Sequence, residues 1–216
     1  MNADVKYILS MSCVLPALVG IYRFNKIHKK FRPFIYMMLL DTVIETIYYL
    51  ASKFALVSNF SKMAVNIYIL FSFALFLYLV YINGYLTKKV KQALLIAAFI
   101  IAAINYFYLG TMFKTFTVLF CFIWSLSLII SIDILSRQIM ALNEKLLNNF
   151  WFWVSSAYIL YNAFNLLVYG PVFFLNPDPR NGEAIGNIQH FANAASYIFF
   201  AIAIFRIPEK RLASSL

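Results

Sequence analysis

Residues 23–56 read RFNKIHKKFRPFIYMMLLDTVIETIYYLASKFAL, so a basic segment is followed directly by a long apolar one. A helix rises 1.5 Å per residue, and about 20 apolar residues therefore cross a hydrocarbon core of about 30 Å. The apolar part, residues 34–56, is long enough to do this. Short basic segments at the ends of such runs are typical of the cytoplasmic side of a membrane. The stretch predicts a membrane-spanning helix that begins at the cytoplasmic surface.

The composition of the whole chain favours the same class of protein. Of 216 residues, 63% are hydrophobic and 12% are charged, whereas soluble domains average about 45–50% apolar and about 25% charged residues. A small soluble globule needs a large polar surface. The composition therefore excludes an ordinary cytosolic enzyme and a disordered chain, and it predicts an integral membrane protein.

Six further apolar stretches meet or nearly meet the length of a span. The seven predicted spans are residues 7–24, 34–56, 63–86, 90–109, 115–136, 150–174 and 187–205. The connections are short, and the longest outer loop is expected from Leu175 to Gly186. Gly170 and Pro171 are expected to kink or end the sixth helix, because proline cannot donate a backbone hydrogen bond. We predict an all-α fold in which residues 1–216 form a single seven-helix transmembrane domain.

Lysine and arginine are divided unequally between the two sides of this bundle. Thirteen lie on one side, namely Arg23, Lys26, Lys29, Lys30, Arg32, Lys88, Lys89, Lys91, Arg137, Lys145, Arg206, Lys210 and Arg211. Five lie on the other side, namely Lys6, Lys53, Lys62, Lys114 and Arg180. Because cytoplasmic loops are enriched in these residues, the N-terminus is predicted outside and the C-terminus in the cytoplasm. The basic loops predict a bacterial inner membrane as the location.

The charge and the cysteines restrict the expected partners. The formal net charge is +10, yet the basic residues lie at the ends of apolar runs and form no separate face, so nucleic acid is not an expected partner. Membrane lipids are expected partners. Cys13 and Cys121 lie in apolar runs and are expected to be buried free thiols. No metal or other cofactor is expected. Asp133 is expected to pair with Arg137, four residues further along a helix.

Two carboxylates occur inside the second span. Asp41 and Glu45 are four residues apart and therefore share a helix face. A charge at the bilayer centre costs roughly 2.5–3.5 kcal/mol on insertion scales. The interpretations left open are a proton- or cation-binding pair, one acidic group of a polar pocket, or carboxyl groups that are held neutral or hydrogen-bonded to tyrosine and asparagine. We expect Glu45, near the midplane, to be neutral in the empty protein.

Polar side chains recur at helical spacing in other spans. On the sixth span they begin at Tyr158 and recur after four, three and four residues, which places them on one face. Hydrocarbon cannot satisfy their hydrogen bonds, so we expect them to converge with others in an outward-facing pocket. The predicted pocket residues are Asp41, Glu45, Asn66, Asn105, Tyr158, Asn162, Asn165, His190, Asn193 and Tyr197. Alternatively, the asparagines only hold helices together.

Missing residues exclude several functions of seven-helix proteins. A retinal pigment needs a lysine in its last span, and residues 196–205 contain none. A zinc-dependent membrane hydrolase needs several histidines at membrane depth, whereas His28 lies in the basic first loop and leaves only His190. No Gly-x-Ser-x-Gly nucleophile motif is present. No catalytic residue is predicted, and an enzyme is the less favoured class.

Three function classes remain open, in order of preference. The first prediction is a membrane sensor or a module that binds a small ligand or lipid, with a ligand that enters from the outer side and a cytoplasmic or membrane partner protein. The first alternative is a small transporter, or a proton- or cation-coupled carrier, that uses Glu45. The second alternative is a membrane-embedded enzyme that acts on lipid.

Overall fold

A computed structural model describes residues 5, 8–9, 11–53, 59–109, 117–141, 146–175 and 179–209. For residues 48, 52–53, 59–62, 108–109, 117, 170–175 and 179–186 it describes the backbone alone. These described residues are 90% helical and contain no β-strand, which confirms the all-α prediction. Lys6, Lys114, Lys145, Lys210 and Arg211, which the orientation argument counts, lie outside them.

The described residues form seven α-helices. They are α1 (Val14–Arg23), α2 (Arg32–Lys53), α3 (Asn59–Ile82), α4 (Lys88–Ile104), α5 (Thr117–Met140), α6 (Phe150–Leu175) and α7 (Pro179–Phe205). Short 3-10 helices precede α1, α2 and α6 at Met11–Cys13, Lys29–Phe31 and Leu146–Asn148, and a π-helical segment, Asn105–Leu109, extends α4.

Five stretches of the described chain are long and apolar enough to cross a membrane. They are Lys29–Ala51, Met63–Ile82, Lys88–Phe107, Val118–Met140 and Asn187–Phe205. Met11–Arg23 is apolar but shorter. The helices thus have the length and composition of those of a membrane protein.

Several helix ends differ from the predicted spans. Helix α3 begins at Asn59 rather than at residue 63, and α7 begins at Pro179, so that helix replaces much of the expected loop from Leu175 to Gly186. Proline suits the first helical position because its missing N–H would have no partner there. Helix α6 does not end at Pro171 but continues to Leu175. An apolar run marks only the part of a helix that suits hydrocarbon, and polar ends lie beyond it.

Aromatic contacts bring several basic segments together at one end of the bundle. The ring of Phe150, at the start of α6, lies 4.8 Å from that of Phe31 and 5.4 Å from that of Phe34 at the start of α2. The ring of Tyr85, after α3, lies 4.8 Å from that of Trp151. We call the end of the bundle that contains the start of α2, the end of α3 and the start of α6 the basic end. Consecutive helices therefore run in alternating directions.

A polar network at the basic end joins α3, α5 and α6. Gln138 of α5 donates a hydrogen bond to the Tyr85 hydroxyl at 2.7 Å and accepts one from Asn149. Burial raises the pKa of the Tyr85 phenol above its usual range. The neighbouring α3–α4 turn places Gly84 at φ 84°, where the N–H groups of Gly84 and Tyr85 bond back to α3 in a Schellman motif. Both contacts fix the end of α3.

Arg23 joins the end of α1 to the end of α7. Its guanidinium donates hydrogen bonds to the backbone carbonyls of Ile204 at 2.8 Å, of Phe205, and of Ile207 at 3.2 Å. It also lies 3.3 Å from the carboxylate of Glu209. The last carbonyls of a helix lack intrahelical partners and favour a cation. Arg23 is therefore a helix cap as well as one of the basic residues on which the orientation prediction rests.

Two sequence predictions about single residues have clear outcomes. Arg137 pairs with Asp133 at 2.8 Å, with both side chains about half exposed, which confirms that prediction. Cys13 is a buried free thiol, whereas the free thiol of Cys121 is only partly buried.

Candidate functional site

A cavity of about 40 Å³ lies between α2, α3, α5, α6 and α7. We call it the central chamber. Its polar lining residues are Asp41, Tyr68, Ser72, Trp124, Ser127, Tyr158, Tyr161, Asn162 and Tyr197, and its apolar ones include Phe73, Phe76 and Phe200. A water molecule needs about 10–15 Å³ measured in this way. The chamber therefore has room for about three or four atoms of that size.

Asp41 is the one carboxylate among the described residues that line the chamber. It lies nine residues after Arg32, the first residue of α2, and therefore about 14 Å along the helix from the basic end. Only 9% of the residue is exposed. Glu45 lies one turn further from the basic end, is partly buried and does not line the chamber. The acidic group available to a chamber ligand is thus Asp41.

Aromatic rings form much of the chamber wall and pack against one another. Tyr158 has its ring 4.5 Å from that of Phe76 and 5.1 Å from that of Phe200. Trp124 packs at 5.5 Å from Phe120 and at 5.3 Å from Tyr169. Edge-to-face and tilted ring pairs of this kind each add about 0.5–1.5 kcal/mol to the gain from burial. Neighbouring rings therefore hold Tyr158 and Trp124 in place in the chamber lining, to which Asp41 also belongs.

The indole N–H of Trp124 has no hydrogen-bond partner in the described part of the chain. Trp124 is 5% exposed and lines the chamber. Ser127 and Ser131 follow three and seven residues after Trp124 on the same face of α5. Ser127 also lines the chamber, and the buried hydroxyl of Ser131 likewise lacks a described partner. An unsatisfied buried donor costs about 1–3 kcal/mol, and such a group in a native structure requires an explanation.

Asn162 and Asn165 differ in what they contact, although both are buried on α6. Each amide donates to the carbonyl four residues earlier, at 2.7 Å for Asn162 and 2.8 Å for Asn165. Asn162 lines the chamber. Asn165 instead accepts a 2.7 Å hydrogen bond from Gln189 of α7. Asn165 therefore links two helices, as asparagine commonly does in membrane bundles.

The structure brings four of the ten predicted pocket residues together around the chamber: Asp41, Tyr158, Asn162 and Tyr197. The other six lie elsewhere. Asn66, Asn105 and Asn165 are buried, whereas Glu45, His190 and Asn193 are partly buried. Asn105 donates to the carbonyl of Ile101 within its own helix.

The predicted pocket set omits several chamber residues. Trp124 and Ser127 lie three positions apart on α5, and Tyr158 and Tyr161 lie three positions apart on α6. Each pair therefore lies on one helix face. In α5 this spacing was the available signal, because Trp124 and Ser127 are polar side chains within an otherwise apolar span. Tyr68 and Ser72, four residues apart on α3, give the same signal.

Comparison with known proteins identifies no relative of this chain. No family model matches it, and no curated protein and no solved structure matches it either. The described residues contain no group of three or more His, Cys, Asp or Glu side chains that could hold a metal ion.

Proposed function

We propose that this protein is a seven-helix membrane protein that binds a small ligand in the central chamber and acts as a sensor or ligand-binding module. The observation that carries the proposal is the chamber, a cavity of about 40 Å³ between five helices whose lining includes the nearly buried Asp41. Protein interiors are packed about as densely as organic crystals. A purely structural bundle would fill this space with apolar side chains, because an empty cavity lowers stability.

The proposed orientation places the basic end in the cytoplasm and the N-terminus outside, in a bacterial inner membrane. His190 and Asn193, near the start of the apolar span Asn187–Phe205 within α7, then lie toward the side from which the ligand enters. Five helices contact the chamber, so a bound ligand favours the arrangement of helices that fits it best. Small rigid-body shifts of these helices would change the basic end, where a cytoplasmic or membrane partner protein binds.

Filling the chamber tests this function. Ser127→Leu places a larger side chain in the chamber, whereas Ser125→Leu is a matched control on the same helix whose position does not line it. We expect small solutes that raise the unfolding temperature of the wild-type protein to act equally on Ser125→Leu and to have no effect on Ser127→Leu. Ser72→Leu, which fills the chamber from α3, repeats the test should Ser127→Leu fail to fold. A response of the filled variants equal to that of the wild type would contradict the proposal.

A second candidate is a proton- or cation-coupled carrier. It is favoured by Asp41 and Glu45, which lie one turn apart near the middle of α2, since carriers bind coupling ions near the midplane. In this function Glu45→Gln would abolish cation-driven uptake into proteoliposomes, because an amide does not titrate. The two functions are distinguished by transport, as a sensor binds its ligand without net uptake.

A further inference from the structure

We infer that the start of α4 binds the headgroup of an anionic phospholipid, whose acyl chains lie on the exposed apolar face of the same helix. The headgroup site consists of Lys88, Lys89 and Lys91 of α4 together with Tyr78 and Tyr81 of α3, and we call it the lysine patch. None of these residues lines the central chamber. The inference therefore goes beyond the proposed function and needs only that these helices cross a membrane.

The three lysines occupy positions at which they do not stabilise their own helix. They are the first, second and fourth residues of α4 (Lys88–Ile104), and its first turn contains no acidic residue. Cations are unfavourable at a helix N-terminus, which carries a partial positive charge. No carboxylate among the described residues forms an ion pair with any of the three lysines. Their charge is therefore available to an anion outside the chain.

Two tyrosine rings of α3 position the ammonium group of Lys91. Its Nζ lies 4.1 Å from the ring centroid of Tyr81 and 5.7 Å from that of Tyr78, and aromatic faces attract cations at such distances. The rings supply no acceptor oxygen for the three N–H donors of the ammonium. Lys88 lies three residues before Lys91, so the two side chains are neighbours on the helix surface. Together they can donate to the oxygens of one phosphate.

The surface next to the lysines is apolar and exposed. Ile96, Phe99 and Ile100 are each more than half exposed, and Lys88–Phe107 is the least buried of the five described stretches that are long enough to cross a membrane. Ile96 and Ile100 follow Lys89 by seven and eleven residues, so all three share one helix face. A phospholipid joins a phosphate to acyl chains and matches this surface. An acidic protein segment or a free phosphate would leave the apolar part uncovered.

A second group of exposed lysines at the basic end is less suited to an anion. Lys26, Lys29 and Lys30 lie between α1 and α2. Glu209 forms an antiparallel bridge with Ile27 and has a half-exposed side chain, so a carboxylate lies beside these lysines. Its negative charge opposes the approach of a phosphate. Because this group also has three lysines, it provides a matched control for the lysine patch.

The test measures lipid binding to the purified full chain in neutral detergent by native mass spectrometry. The probes are phosphatidylglycerol, phosphatidylcholine with the same acyl chains, and glycerol phosphate, which has the anion without the chains. A lysine near an anionic lipid contributes about fivefold in affinity. We therefore expect phosphatidylglycerol to bind about 10- to 100-fold more tightly than phosphatidylcholine, and glycerol phosphate not to bind detectably. Equal binding of the two lipids, or binding of glycerol phosphate as tight as that of phosphatidylglycerol, would overturn the inference.

Two triple variants separate the lysine patch from the general charge of the basic end. The patch variant carries Lys88→Gln, Lys89→Gln and Lys91→Gln. The control variant carries Lys26→Gln, Lys29→Gln and Lys30→Gln. We expect the patch variant to bind phosphatidylglycerol no more tightly than phosphatidylcholine, and the control variant to bind it as the wild type does, within about threefold. An equal loss in both variants would show that net charge, and not this patch, attracts the lipid.

Further variants test the tyrosine contact and folding. Tyr81→Leu removes the nearer ring and should weaken phosphatidylglycerol binding about threefold, whereas Tyr81→Phe keeps the ring and should not. The unliganded unfolding temperature reports whether each variant folds, and loss of cations from the first turn should not lower it. Lys89→Gln alone, at an exposed position, replaces the patch variant should that fail to fold, and should cost about fivefold. The solute response of Ser127→Leu is independent of these results, so failure of the lysine patch and failure of the proposed function are distinguishable.

Discussion

Arg23 is a buried cation whose energetic role is separable from its ion pair. Its partner Glu209 is 56% exposed in its side chain, and exposed ion pairs contribute only about 0–1 kcal/mol. The hydrogen bonds to the carbonyls of Ile204, Phe205 and Ile207 are the larger contribution, because a buried acceptor that loses its donor costs about 1–3 kcal/mol.

We therefore expect Arg23→Ala to lower the free energy of unfolding by about 3 kcal/mol, and Glu209→Gln by less than about 0.5 kcal/mol. Arg23→Lys should recover only part of the loss, since an ammonium cannot reproduce the forked geometry of a guanidinium. Denaturant unfolding of the purified protein measures all three. Arg206→Ala, an exposed residue nearby, is the control. An equal loss in Arg206→Ala and Arg23→Ala would show that general charge, and not the cap, matters.

The helices themselves were predictable from the sequence, because a run of about 20 apolar residues has few alternatives in hydrocarbon. The polar ends of α3 and α7 were not, since Asn59 and Pro179 lie outside the apolar runs. Nor could spacing show which polar faces meet. A period of 3.6 gives the face of each helix but neither its rotation nor its depth relative to its neighbours. Asn162 therefore lines the chamber, whereas Asn165, three residues on, contacts Gln189.

The packing of α1 on α2 depends on one small residue. A Cβ atom at Gly20 would lie 2.8 Å from Cγ2 of Ile35, and Ile35 is fully buried. Gly20→Ala is therefore expected to destabilise the protein by about 1–3 kcal/mol, as overpacking does. Ile35→Ala removes the opposing Cγ2 atom, so the double variant should lose less stability than the sum of the two single variants. Unfolding of the four proteins in one double-mutant cycle measures the coupling, and strict additivity would contradict the contact.

For the bundle as a whole, the orientation in the membrane stays a prediction. The sequence supports it only through a count of thirteen basic residues against five. The contacts of Arg23 with the end of α7, and of Phe31 with the start of α6, bring several of the basic segments to the same end. A clustered positive end is retained on the cytoplasmic side more strongly than scattered charges are. The side from which the chamber is reached follows from this orientation.

Single-cysteine labelling tests the orientation. In a background of Cys13→Ala and Cys121→Ala, cysteine is placed at Lys29, an exposed residue of the basic end, or at Asp178, which lies outside the described residues between α6 and α7. Because the basic end is expected to face the cytoplasm, an impermeant maleimide should label position 178 in intact cells, and position 29 only after permeabilisation. Lys89→Cys, in the first turn of α4, should behave like position 29. Labelling of positions 29 and 89 in intact cells would place the basic end outside, and the ligand would then reach Asp41 from the cytoplasm.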